Sequence, residues 1–275
     1  MDHAAGVPSR LHRALPRATR PSLRAAAVLR CRIPWAGRLR LLRAVVAETE
    51  IELAPGLSVW LCDGIDRRAF DEVFIYRNYM ADYEGATLLD LGAHKGYSAA
   101  WALVHGAVRV ISVEPAAANY AYLERSSAGF NADDRFGREW VTIRAAVSDE
   151  AGRGRLHLSA ESWTHALTPP PADTGRTEEV DLVPLLALLE QTEGAARLIV
   201  KADCEGVEQK LLAAMSPAAW RRADSVFMEV HDDESWRSAI AFFPEIGFRL
   251  VGRLEGGVVR AVRDVRENRR EARAS

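Results

Sequence analysis

Along most of the chain, short apolar runs alternate with stretches whose apolar residues recur at helical spacing. Ile51–Leu53 and Leu57–Leu61 read as short strands about a Pro55-Gly56 turn. Phe70, Val73, Phe74, Tyr76 and Tyr79 recur near helical spacing, predicting a helix over 66–80 that covers the first core strand. From there strands and helices take turns. Ala86–Leu91, Val108–Val113, a stretch within Trp140–Val147, Leu198–Ala202 and Ser225–Val230 read as strands. Helices are predicted near 96–105, 116–128, 206–215 and 234–243. Arg155–Leu158 reads as a short extra strand, Thr168–Pro171 as a proline-rich loop, and Leu182–Leu189 as helical. Phe248–Leu254 and Val258–Val262 flank Glu255-Gly256-Gly257 as a closing antiparallel hairpin. Repeated strand–helix units predict an α/β, doubly wound, mostly parallel seven-stranded sheet with a closing antiparallel strand and helices on both faces.

Charge divides the chain. Residues 1–45 hold ten arginines and one acid, Asp2, a net +9 that leaves −11 on the remainder. The expected organisation is a basic arm over 1–45, partly helical or disordered, a globular domain over 46–262, and a charged tail over 263–275. The arm's composition also resembles an organellar transit peptide, and the arm is the one segment suited to touching an anionic membrane. The net charge of −2 gives no global case for nucleic acid. Cys31, Cys62 and Cys204 form no paired motif, so neither a zinc site nor a disulfide framework is expected. With no apolar run of membrane-spanning length and no signal-like segment, the expected setting is cytoplasmic.

Four polar clusters sit at predicted strand ends. Asp90-Leu91-Gly92-Ala93-His94-Lys95-Gly96-Tyr97 runs from a strand through a glycine turn into a helix. Such a turn lets backbone approach a ligand, and helix N-terminal amides can hold a carboxylate. Glu114 ends the next strand, where an acid can accept hydrogen bonds from both ribose hydroxyls. A nicotinamide-dependent dehydrogenase would use the same device. Here, however, His94 stands where G-x-G-x-x-G requires its second glycine, which favours S-adenosylmethionine over a dinucleotide. Lys201-Ala202-Asp203-Cys204-Glu205-Gly206-Val207-Glu208 and Glu229-Val230-His231-Asp232-Asp233 end two further strands. Glu205 and Glu208 also suit the first turn of a helix, and Asp232 and Asp233 suit a cap. Open α/β sheets bind ligands outside the carboxyl ends of their strands, so the four clusters predict one shared site.

In order and wording these motifs, with Ala145-Ala146-Val147-Ser148-Asp149 and Gly152, resemble the FkbM family of S-adenosylmethionine-dependent methyltransferases across roughly 57–250. The family commonly has Asn where His94 stands. It often has an acid after a leucine in the segment matching Val180–Leu189, where this chain has Leu185-Leu186. The resemblance implies a class I, Rossmann-like methyltransferase fold. It implies S-adenosyl-L-methionine as cofactor and O-methylation of a hydroxyl on a small molecule, sugar or glycan. Asp90, Gly92, Ala93, His94, Gly96, Glu114 and Ala146 are then expected around the donor, and Asp203, His231 and Lys201 at the catalytic centre. Asp203 and His231 are the candidate bases. If a divalent metal is used, Asp203, Glu205 and Glu229 or His231 would hold it. A donor-binding protein that has lost turnover is the alternative.

Overall fold

The computed structural model describes residues 48–132, 137–170, 172–214, 216–253 and 257–263. The arm expected over 1–45 and the tail beyond Arg263 lie outside the described residues. Seven strands form the main sheet. They are β3 (Thr87–Leu91), β4 (Arg109–Val113), β5 (Glu139–Ile143), β9 (Leu198–Ala202), β10 (Ser225–Glu229), β11 (Phe248–Arg253) and β12 (Val258–Arg263). Their spatial order is β11-β12-β10-β9-β3-β4-β5. The five strands from β10 to β5 run parallel, while β12 lies antiparallel to both β10 and β11. This is the class I methyltransferase arrangement expected from the sequence. The chain winds outward from β3 to β5, then returns to the other side of β3 with β9. The switch point between β3 and β9 opens the crevice that such sheets use for ligands.

Alternation within the strands supplies two cores. Leu88, Val110, Ile199 and Phe227 face the helices α1 (Gly64–Phe74), α2 (Tyr97–Val104) and α3 (Ala117–Asn131). Leu89, Ile111, Val200 and Met228 face α4 (Leu185–Glu190), α5 (Glu208–Ala214), α6 (Pro217–Trp220) and α7 (Asp233–Glu245). Both faces are buried, which is why these strands read as continuous apolar runs. The antiparallel pair β1 (Thr49–Ala54) and β2 (Leu57–Leu61) packs beside α3, on the first face.

Three expectations change. The helix predicted over 66–80 ends at Phe74, because Arg77 turns the chain through φ +60°. Trp140–Val147 splits into β5 and β6 (Ala146–Ser148), which belong to different sheets. Leu182 and Val183 are not helical. They end a long strand, β8 (Asp173–Pro184), before Pro184 starts α4. β8 pairs antiparallel with β7 (Gly152–Ser159) and parallel with β6. The polar outer face of β8 hid it in the sequence, since Thr174–Glu179 carries no apolar alternation. The connection that leaves β7 of this second, three-stranded sheet lines the crevice with its residues 161–167. No helix among the described residues is long and apolar enough to cross a membrane.

Candidate active site

A cavity of about 1320 Å³ lies at the carboxyl ends of the parallel strands. That exceeds the usual range for one small ligand, about 300–1,000 Å³, and leaves room for a donor and an acceptor together. All four polar clusters contribute to its lining.

The turn between β3 and α2 is held by its neighbours. Gly92, His94 and Gly96 all take positive φ (71°, 51° and 88°). Histidine is among the residues that tolerate this region, so His94 fits its left-handed backbone. The N–H groups of Gly92 and Ala93 both donate to Val113 O. The His94 N–H donates to Glu114 Oε2 at 2.9 Å, and Ala116 N–H donates to Glu114 Oε1 at 3.0 Å. Burial pushes the Glu114 carboxyl up to about 7, against the pull of these donors. The His94 ring is also buried, and that burial holds its pKa well below the ordinary histidine value.

The arrangement fits S-adenosylmethionine. Glu114 lines the cavity with a carboxyl group, which can accept from ribose hydroxyls. Val113, Ala145, Ala146, Val147 and Leu156 form an apolar wall suited to adenine. Tyr97 and Ser98 line the cavity from the first turn of α2, whose N–H groups lack intrahelical acceptors and can meet a carboxylate. Two expected donor residues do not line the cavity. Asp90 is fully buried, accepts from Ser98 Oγ at 2.7 Å and lies 3.4 Å from Lys201 Nζ. Gly96 lies against Trp140 and Leu123, which a side chain there would strike. Both lie one layer behind the cavity wall.

Strand register explains the lysine. Asp90 and Lys201 are directly opposed neighbours on β3 and β9. The Lys201 ammonium donates to Gly92 O at 2.5 Å and sits 3.4 Å from Asp203 Oδ2. Lys201 therefore bonds the donor turn to the opposite wall. Burial opposes its charge, but Asp203 and Asp90 outweigh that and raise its pKa.

Asp203 follows β9, and its backbone N–H donates to Leu91 O. Burial works to raise its pKa, but Lys201 and His231 hold the carboxyl below the ordinary range. Asp203, Glu205 and His231 bring ligand-type atoms within 4.8 Å of one another. Glu229 lines the same cavity but is not one of that trio. Its pKa is pushed well up by burial and by the Asp203 charge, and Glu205 is raised to about 8 by the same causes. His231 rises to about 9: burial resists, while Glu208, Glu205 and Asp203 stabilise the imidazolium. Glu208 has a second role, accepting from the N–H groups of Cys204 and Gly206 at the entry to α5.

Several lining residues escaped the sequence reading. Glu72 of α1 faces Asp203 and is raised to about 7, first by burial and then by that charge. The Tyr79 hydroxyl lies 3.5 Å from Asp203 Oδ2. Asn119 donates toward Glu114 and to Ser162 O. Behind the donor turn, fully buried Asp66 accepts from Lys95 Nζ at 2.5 Å and Cys62 N–H at 2.6 Å. Nothing in the sequence set Glu72 apart from Asp66 and Asp71, the other acids of α1. Tyr79 was read only as one aromatic of a helical stripe.

The Methyltransferase FkbM domain matches residues 90–250. A curated relative, 31-O-demethyl-FK506 methyltransferase FkbM of Streptomyces tacrolimicus, is 26% identical over 217 residues, which cover 66% of this chain and 81% of that protein. The crystal structure of methyltransferase FkbM from Methylobacillus flagellatus KT aligns at 15% identity with a TM-score of 0.46. The alignment covers 69% of this chain and 47% of that one, so the chain spans about half of that protein's length. Aeropyrum pernix fibrillarin, solved with natively bound S-adenosyl-L-methionine, aligns at 14% identity with a TM-score of 0.41 over 80% of this chain and 84% of its own. With the domain matched over more than half of its length, this chain belongs to the FkbM family of S-adenosylmethionine-dependent methyltransferases.

Proposed function

We propose that the protein transfers a methyl group to a hydroxyl oxygen of a small molecule, sugar or glycan. One observation carries this reading: a single cavity holds Glu114 and the donor turn on one side and Asp203 with His231 on the other. The Streptomyces relative, named for an O-demethyl substrate, supports a hydroxyl as the acceptor group. S-adenosylmethionine supplies an activated methyl on a sulfonium. The protein's work is then to align the acceptor oxygen and receive its proton. Asp203, ionised beside Lys201, accepts the hydroxyl's hydrogen bond and orients it. His231 takes the proton, and Glu205 and Glu208 stabilise the imidazolium that forms. Incubation with labelled donor and a panel of hydroxylated metabolites tests the function. Release of S-adenosylhomocysteine with any acceptor excludes a silent donor-binding protein. Tight donor binding without turnover across a broad panel would favour that alternative.

A divalent ion at Asp203, Glu205 and His231 is the second reading, favoured by their mutual approach within 4.8 Å. Chelation followed by metal re-addition tests it.

Glu114→Ala is expected to weaken S-adenosylhomocysteine binding by roughly 1.5–3 kcal/mol, the range for a hydrogen bond to a charged group. The same change frees the His94 and Ala116 N–H groups. Calorimetry should therefore be run on protein shown to be folded, with Glu114→Gln beside it. Unchanged affinity in both variants would move the ribose elsewhere.

The pH profile tests the base. His231 is pushed up to about 9, so it is an imidazolium at neutral pH and must lose its proton before it can act. Turnover should climb by about tenfold per pH unit from pH 6 and level off near 9. A flat profile across neutral pH would instead assign the proton to Asp203, which stays ionised throughout.

A further inference from the structure

The segment Ser159–Ala166, which leaves the second sheet, is an organised unit. The Ser159 N–H donates to His165 Nδ1 at 3.0 Å, and Thr164 Oγ1 donates to Ser159 Oγ at 2.7 Å. His157 and Ala166 exchange both backbone hydrogen bonds, which closes its base. Its outward contacts run in two directions. On the donor side, Ser162 Oγ meets His94 Nε2 at 3.1 Å, and Ser162 O accepts from Asn119 Nδ2 at 2.8 Å. His94 and Asn119 are also the residues that bond the two oxygens of Glu114, through the His94 N–H and the Asn119 amide. On the other side, Arg68 of α1 lies 5.1 Å from the Trp163 ring and 3.7 Å from Glu161. One helical turn further, Glu72 lines the acceptor half of the cavity.

The two attachments differ in strength. Arg68 and Glu161 leave 51% and 44% of their side chains exposed, and exposed pairs of this kind hold weakly. The Ser162 contacts are partly buried and rest on the residues around the ribose acid. We propose that Ser162 is a positioning residue through which the bound donor fastens this strap, so that Trp163 and Glu161 take their places as acceptor wall only on donor-loaded protein. The inference rests on the reading that the donor's ribose lies at Glu114. Nothing in the chemical step requires it. Its consequence is order: the acceptor site is completed after the donor has bound.

Hydrogen exchange on the full chain, with S-adenosylhomocysteine as probe, reads the strap directly. Saturating probe should slow exchange across 157–167 by about tenfold, as expected when a locally opening segment is fastened. Ser162→Ala should weaken probe binding by about fivefold, as for loss of one hydrogen bond, and reduce that protection, since only the Ser162 O contact to Asn119 remains, with the ligand-free melting temperature unchanged. Ser162→Thr keeps the hydroxyl and should restore both. Probe binding to the wild type without any change across 157–167 would overturn the proposal, as would undiminished affinity and protection in Ser162→Ala. Absence of any probe binding to the wild type would instead remove the donor site itself, and this inference with it.

Discussion

Alanine at position 92 is expected to abolish donor binding and to cost about 3 kcal/mol of stability. Roughly 1–2 kcal/mol comes from the left-handed backbone and roughly 1–3 kcal/mol from overpacking. Gly92 takes φ +71°, and a Cβ built there falls 1.8 Å from the Asp203 carbonyl oxygen and 2.8 Å from its carbonyl carbon. Both are backbone atoms of the neighbouring strand end, so no side-chain rotation relieves the clash. Either β9 moves away or the turn unwinds. In both cases Lys201 loses Gly92 O, and Asp203 leaves its place beside the cavity. The structure puts the obstruction on the opposite wall, so even the smallest side chain fails. Gly175 is the control: it has a similar φ of +73° and nothing within 4 Å of its Cβ. Gly175→Ala should cost only the backbone part, about 1 kcal/mol. Denaturant unfolding and calorimetry with S-adenosylhomocysteine read both variants. A Gly92→Ala protein that binds the donor product as the wild type does would sink the account.

Asp203→Asn is expected to lower turnover by about 10²-fold, the cost of a poorly oriented acceptor, while donor affinity changes little. Asparagine is nearly the same size, and Lys201 keeps Asp90 and Gly92 O as partners, so the fold should survive. The variant separates the roles open to this carboxylate. If donor affinity falls in step with turnover, Asp203 holds the donor's ammonium instead. If activity of the wild type disappears on chelation and returns with a divalent ion, Asp203 is a ligand beside Glu205 and His231. Full activity of Asp203→Asn on its acceptor would exclude orientation, ligation and proton transfer together, and would leave His231 to act alone.

The fold and the donor half were legible in the chain for a simple reason. Strands buried on both faces are predominantly apolar, and a polar cluster at a strand end breaks that run with glycine or charge. Leu88–Gly92, Val110–Glu114 and Leu198–Asp203 show both features within a few residues, so local chemistry was enough to find them. The acceptor half was only partly legible. Asp203, Glu205 and His231 stood at strand ends, but Glu72 and Tyr79 reach the same cavity from a helix and the loop after it, far away in sequence. No spacing rule connects them. The second sheet was only partly legible: Arg155–Leu158 reads as a strand, but the sheet's central strand, Asp173–Pro184, is largely exposed over its first half and carries no apolar alternation there. Only the assembled structure decided which charges line the cavity and which lie behind it. Asp90 and Gly96 belong to the same motif as Gly92 and His94, yet register places Asp90 against Lys201, and packing places Gly96 against Trp140. Sequence fixes which residues lie at the sheet's carboxyl edge, because burial and turn chemistry are local. Which of them face one another across it depends on strand order, and strand order is a property of the whole fold.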